Sequence, residues 1–384
     1  MAKKAYIGVN GVARKVKKIY AGIDGKARKV KKGYIGVGGV ARPFWSGEEL
    51  VYYGTVTELS EGRYGLAAAS VGNYAIFECG IVSSEVKTVD AYDKSLTRSN
   101  PSGYPQRRNH AGASVGDYAL FAGGRAGNSF SSNVYSYNLS LTRTKITNLS
   151  QGTAWLAGLS FGNYALFAGG WYGAANEPGA VVNAYNTSLT RSNPTNMSEK
   201  RRNMGCASVG DYALFAGGDM DSVGTATDVV NAYNTSLTRS IPTSLSVSRT
   251  NLAGASVGKY ALFGGGVQNT GTTTITRTNK NTVDAYNESL TRITPTSLRQ
   301  ARYWLSATSL NGYAIFAGGK YSSSSLTYPN VDVYDESLTR TTPTNLSVAR
   351  AEMAAVTVGD HALFGGGLGD YETKYATVDA YTIA

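Results

Sequence analysis

Apolar and polar residues alternate along most of this chain in bursts of about five positions, each closed by Gly, Asn or Asp, the pattern of half-buried strands joined by turns. One burst recurs. Tyr-Ala-Leu/Ile-Phe places its tyrosine at Tyr74, Tyr118, Tyr164, Tyr212, Tyr260 and Tyr313, and His361 holds that place in a seventh copy. The spacings are 44, 46, 48, 48, 53 and 48 residues, so the chain is a tandem repeat and must be read as one. Each copy starts at a Val-Gly-Asp/Asn type of turn and most end in Gly-Gly, as from Val115 to Gly124. A further strand follows after a loop and ends at Tyr92, Tyr137, Tyr185, Tyr233, Tyr286, Tyr334 or Tyr381. Ser-Leu-Thr-Arg comes next in six copies, with Arg98, Arg143, Arg191, Arg239, Arg292 and Arg340, then a Pro-Thr-x-Leu-Ser-like passage.

The seventh copy stops at Ala384, and its missing piece reappears at the other end, where Tyr53 to Ser60 aligns with Thr341 to Ser347. A four-stranded unit cannot bury both faces alone, so repeats of this size predict a ring. The expectation is an all-β, seven-bladed β-propeller over residues 48–384, latched by an N-terminal strand near residues 51–58 beside the strand ending at Tyr381.

Residues 1–47 follow a different period. Ala5 to Arg14, Ile19 to Arg28 and Gly33 to Arg42 repeat every fourteen residues, with Asn10-Gly11, Asp24-Gly25 and Gly38-Gly39 between apolar stretches. Those dipeptides suit two-residue turns and predict three tandem β-hairpins, each too small to stand alone. The charge changes how this segment reads. The net +11 sits entirely within residues 1–46, which hold twelve of the 37 Lys and Arg and one acid, Asp24; the rest carries 25 of each sign. A neutral body behind a basic front predicts a docking segment, with Lys15, Lys17, Lys18, Lys29, Lys31 and Lys32 as its contacts. It has few aromatics on which bases could stack, so no specific nucleic acid is expected.

Cys79 and Cys206 fall in separate repeats without CxxC spacing, which excludes a disulfide framework and predicts buried small hydrophobes. No apolar run reaches the ~20 residues of a membrane span, and no signal-peptide core follows the first lysines.

The repeat residues resemble the kelch family: Gly-Gly after one strand, Val-x-x-Tyr-Asp/Asn in the next, and an Arg ahead of the innermost strand. The outer-strand tryptophan common in that family is replaced by Ser-Leu-Thr-Arg. The front resembles basic hairpin repeats of tail-associated proteins of bacteriophages and prophages of Gram-positive hosts, which implies docking to a virion.

Catalytic chemistry needs titratable groups gathered in one place, and the sequence offers few. His110 and His361 are the only histidines, and no His, Cys or Asp cluster has ligand spacing; neither a catalytic set, a metal nor a cofactor is expected, and the chain reads as a non-enzyme. Glycines such as Gly264, Gly265 and Gly266 end strands and are not followed by a phosphate-binding helix.

The sharper candidates are six arginines, each eleven residues before the repeat tyrosine or histidine: Arg63, Arg107, Arg201, Arg249, Arg302 and Arg350, with Thr153 in the remaining place. In kelch-like propellers this position opens the innermost strand, which implies guanidiniums at a channel mouth, suited to anions. The competing reading has each satisfied by carbonyls and acids of a neighbouring blade. Loops of 8 to 16 residues between Gly-Gly and the next Val should share that mouth. Trp171, Tyr172, Tyr321, Tyr328, Tyr371 and Tyr375 in these loops predict a rim on which sugar rings stack.

Together these features predict a phage or prophage structural protein in a homo-oligomeric or larger assembly, located in the virion and assembled in the host cytoplasm. It would dock through residues 1–47 and bind a host cell-wall glycan or a neighbouring virion protein. An intracellular interaction scaffold is the alternative, and a glycan-active enzyme the last.

Overall fold

The computed structural model describes residues 49–384 except 104, 174–176, 271–275 and 322–325, together with six strands nearer the start. Those six pair as three antiparallel hairpins: Tyr6–Val9 with Val12–Lys15, Tyr20–Ile23 with Lys26–Lys29, and Lys32–Val37 with Val40–Ser46. The turn dipeptides Asn10-Gly11, Asp24-Gly25 and Gly38-Gly39, and Lys17, Lys18 and Lys31, lie outside the described residues. Lys15, Lys29 and Lys32 fall at strand ends.

The protein is all-β and propeller-like. Among the described residues, seven four-stranded antiparallel sheets follow one another, and no helix is long and apolar enough to cross a membrane. The first sheet runs Ala67–Val71, Tyr74–Glu78, Val89–Asp93 and Arg98–Ser99, each strand beside the next. The sheets within 111–146, 157–192, 205–240, 253–293 and 306–341 repeat that order. The last takes Ala354–Val358, His361–Gly365 and Val378–Ile383 from the C-terminal end and Leu50–Val56 from the N-terminal end. Val56 pairs with Val378 and Leu50 with Ile383, and Tyr52 donates its hydroxyl to Asp379 Oδ1 at 2.6 Å.

The core lies between sheets. First strands bury alternate residues, as Ala67, Ala69 and Val71, while second strands bury four in a row because both faces are covered. Each apolar cluster spans two neighbouring sheets: Leu120 and Val134 pack with Phe167 and Tyr185, and Leu363 and Val378 of the last sheet pack with Phe77 and Tyr92 of the first. Each first strand lies beside the first strand of the next sheet, and the seventh lies beside the first.

The repeated residues are the joints. Each third-strand tyrosine stands edge-on to the repeat phenylalanine, ring centres about 6 Å apart as in Phe121–Tyr137 at 5.8 Å and Phe215–Tyr233 at 6.1 Å. Its hydroxyl donates to a carbonyl of the passage before the sheet: Tyr185 to Thr147, Tyr233 to Thr195, Tyr286 to Thr243, each at 2.8 Å. The Ser-Leu-Thr-Arg arginines likewise donate backwards, Arg191 to the Asn148 carbonyl at 2.7 Å and Arg340 to that of Ser297 at 2.8 Å.

Gly-Gly makes the other joint. The second glycine donates its N–H across to the next repeat, Gly218 to the Arg249 carbonyl at 3.0 Å, Gly266 to Arg302 at 2.9 Å, and, across the seam, Gly367 to Arg63 at 2.8 Å. The first has φ near +65° and no room for a side chain, since a Cβ on Gly217 would stand 2.4 Å from the Arg249 carbonyl oxygen.

Candidate functional site

The six repeat arginines are not at an open mouth. Arg63, Arg201, Arg249, Arg302 and Arg350 have no exposed surface and Arg107 has 3%. Each donates through Nη2 to the carbonyl of its own sheet's phenylalanine, from Arg350 to Phe364 at 3.0 Å to Arg107 to Phe121 at 3.4 Å. Four also meet the aspartate of Val-Asp-x-Tyr: Asp90, Asp284, Asp332 and Asp379 lie 2.7 to 2.9 Å from Arg63, Arg249, Arg302 and Arg350. The same carboxylates cap the incoming passage, Asp90 accepting from Ser60 N and Oγ and Asp284 from Ser246 N and Oγ. A buried guanidinium requires such a partner, and the acid two residues before each tyrosine was the signal in the sequence.

Two of the three exceptions obey the same rule. Where Tyr135 replaces the aspartate, Glu78 of the preceding sheet pairs with Arg107 at 2.6 Å. The third copy has Thr153 opposite Asn183 and needs no charge on either side. Only Arg201 faces an asparagine, Asn231; its bonds go to the Val229 and Phe215 carbonyls, and burial pulls it down to about 10.

Glu78, Cys79 and His110 bring three potential metal donors within 4.8 Å of one another, fully buried. Burial raises Glu78, but the Arg107 guanidinium and the His110 imidazole outweigh it and hold the carboxyl down at about 2; burial pushes the Cys79 thiol up to about 12 and His110 down to about 4. A cation there would have to displace Arg107. Cys206 is half-buried on a first strand, packed against the core cluster of Ala157, Phe215 and Tyr233 with its Sγ 3.2 Å from the Gly158 carbonyl.

The residue two places after each arginine position is joined to its counterpart in the next repeat. Gly65, Asn109, Trp155, Asn203, Asn251, Trp304 and Glu352 all have left-handed backbone, with φ of 51° to 63°. Their amides link in sequence: Asn109 N to the Gly65 carbonyl at 2.9 Å, Trp155 to Asn109 at 2.8 Å, Asn203 to Trp155 at 3.2 Å, Asn251 to Asn203 at 3.0 Å, Trp304 to Asn251 at 3.1 Å and Glu352 to Trp304 at 3.1 Å. All seven are half-buried. The loops that follow Gly-Gly bridge to the residues just before this row, Arg202 with Asp219, Thr250 with Val267 and Tyr303 with Lys320, so row and variable loops share one face.

Trp155, Asn203, Asn251 and Trp304 wall a cavity of about 220 Å³. The buried Leu156, Met204, Leu252 and Leu305 complete its lining. Charged groups stand around it already engaged. Arg202 lies over Trp155 and Trp171, 5.7 and 4.1 Å from their ring centres, with its Nε 2.6 Å from Asp219; Lys320 lies over Trp304 at 5.5 Å. Glu352 is pushed up to about 7 by burial, opposed by Lys320.

The loop aromatics do not form one platform. Trp171 and Tyr172 are buried at 7% and 8%, Tyr328 and Tyr375 are half-buried, and Tyr321 and Tyr371 are exposed. Trp171 contributes from behind, as a seat for Arg202. His361 keeps the register of the tyrosine it replaces, paired with Val358, and its ring stands edge-on to Tyr53 at 5.0 Å.

No protein-family profile matches the chain, and no curated protein matches it. Among solved structures it is similar to that of YjhT, at 12% sequence identity and a TM-score of 0.60, covering 75% of this chain and 99% of YjhT. Identity that low speaks to the fold alone.

Proposed function

We propose that this protein is a non-enzymatic, kelch-like, seven-bladed β-propeller, closed by its N-terminal strand, that binds a host-surface glycan at the loop-bearing mouth of its channel. The observation that carries this reading is the half-buried row in which Trp155 and Trp304 flank the amides of Asn203 and Asn251. Flat aromatic faces beside fixed amides match a sugar, whose C–H faces stack while its edges hydrogen-bond. Trp in a left-handed conformation costs roughly 1–2 kcal/mol, and strain of that kind is retained where a site needs it. The leucines of Ser-Leu-Thr-Arg share the conformation, but they pack against the core clusters, as Leu96 does, whereas the two tryptophans face a cavity.

The basic hairpins of residues 1–47 dock the propeller to a larger particle, a phage or prophage virion by their resemblance. Retention of the full chain on purified Gram-positive cell walls and on a glycan array tests the reading, with loss of retention in Trp155→Gly/Trp304→Gly as the expected result. Retention by protein partners alone would favour the scaffold instead. Glu352, with its carboxyl raised into the neutral range beside the cavity, is the group an enzymatic reading would use. Release of sugar from the wall would favour that reading.

A further inference from the structure

Resting on the glycan reading, we infer that the cavity between Trp155 and Trp304 takes a single terminal N-acetylhexosamine, recognised through its acetamido group. Size sets the first limit. About 220 Å³ in an open depression seats about one sugar ring, below the ~300–1,000 Å³ of pockets that enclose a drug-sized ligand. Buried Leu and Met side chains close the lining, which leaves the occupant to continue only outward.

Charge sets the second limit. The lining residues are Trp, Asn, Leu and Met, and the nearest ions are already engaged, Arg202 with Asp219 and Lys320 over Trp304. An anionic sugar would lose its water there without gaining a free cation.

The two amides set the third, because their orientations are dictated by partners that cannot reverse roles. Asn203 Nδ2 donates to Asp219 Oδ1 at 3.0 Å, and a carboxylate only accepts. Asn251 Oδ1 accepts from Trp304 Nε1 at 2.6 Å, and an indole N–H only donates. Among the described residues, neither Asn203 Oδ1 nor Asn251 Nδ2 has a protein partner. One acceptor and one donor thus belong to neighbouring residues of a lining that is otherwise apolar. A secondary amide offers the complement: its N–H to Asn203, its C=O to Asn251 and its methyl to Met204 or Leu252. A plain hexose hydroxyl can use either atom but leaves the apolar surface uncovered, and a protonated amino sugar has no carbonyl for Asn251.

Titration of the full chain, followed by tryptophan fluorescence and calorimetry, tests this with the methyl glycosides of N-acetylglucosamine, N-acetylgalactosamine, glucose, galactose and glucosamine. One N-acetyl glycoside should bind at least tenfold more tightly than its parent hexoside and the glucosaminide. Asn251→Asp keeps the acceptor for Trp304 and puts an anionic acceptor in place of the donor, so the preference should fall to less than threefold. Trp155→Gly relieves the left-handed strain and should weaken binding at least tenfold, with melting temperatures confirming both folds. Equal binding of hexoside and N-acetyl hexoside, or a preference that survives Asn251→Asp, overturns the acetamido assignment and leaves the glycan reading standing. Failure of every methyl glycoside while purified walls still retain the protein overturns single-sugar recognition alone. Failure of both overturns the inference together with the reading it rests on.

Discussion

Arg201 is a cation sealed in the protein with no aspartate bonded to it, only the charge of Glu199 nearby, and the other repeats show what is missing. Ser198 already donates to Asn231 as Ser60 and Ser246 do to Asp90 and Asp284, so Asn231→Asp restores an arrangement the chain uses four times. It should raise stability by about 1–3 kcal/mol, read from urea unfolding. Asn183→Asp is the control of opposite sign: the third copy has Thr153 in the arginine's place, so it buries a carboxylate with no repeat arginine to meet it, and stability should fall by about 1 kcal/mol or more. If both variants shift the same way, the pairing rule is wrong. Acid tests the Glu78 cluster. A carboxyl held at about 2 contributes stability that is present above its unfolded value near 4.5 and is lost as pH falls toward 2. His110, held at about 4 against 6.5 when unfolded, is neutral in the fold while the unfolded chain takes up a proton, so stability also falls as pH drops from 6.5 to 4. His110→Gln should flatten the upper of these two windows and, because the imidazole helps hold Glu78 down, narrow the lower one while Arg107 keeps part of it, by melting temperature against pH. At this scale the sequence was only half legible. The spacing of the arginines was plain, but which way they point depends on the acid in the next strand but one. The row two places further on varies among Gly, Asn, Trp and Glu, so it does not read as a repeat position.

Strands and turns were legible because a period of two and a period near 48 both survive in one chain, and the passage Tyr53 to Ser60 could be matched to its lost place. The latch is observed at Leu50–Val56, a residue or two from where the alignment sets it. Less visible was how tightly the first strands approach. A Cβ on Gly254 would stand 2.3 Å from the Cys206 carbonyl oxygen, and one on Gly112 2.3 Å from that of Ala68, so three of the seven first strands carry glycine at this place for lack of space and the others only Ala or Cys. Gly254→Ala should therefore destabilise by about 1–3 kcal/mol, although alanine is ordinarily the better strand residue; unchanged thermal stability would mean that the first strands can move apart. The tyrosine joints are milder. Tyr233→Phe removes one hydroxyl bond to Thr195 and keeps the edge-on contact with Phe215, which predicts a loss of about 1 kcal/mol in the same measurement.

For the whole molecule, the decisive feature is that its seam resembles its other junctions. Between the last sheet and the first, Gly367 donates to Arg63 as Gly218 does to Arg249, and Leu363 and Val378 pack on Phe77 and Tyr92. Glu49 and Ala384 exchange two backbone hydrogen bonds, N to O at 3.2 and 3.0 Å, so the two ends of the repeat array touch. Deleting residues 49–56 should expose the edge of Val378–Ile383 and abolish cooperative melting, because a repeat array without its closing strand leaves apolar surface and unpaired backbone open. Moving the seam should not. A permutant joining Ala384 to Glu49 through a short Gly/Ser linker and opened between the exposed Thr235 and Ser236 separates third from fourth strand in the fourth sheet, as the native chain does in the seventh. It should melt cooperatively within a few degrees of residues 49–384. A permutant that folds only when opened at the native seam would show that the last sheet carries a closing role the other six cannot supply.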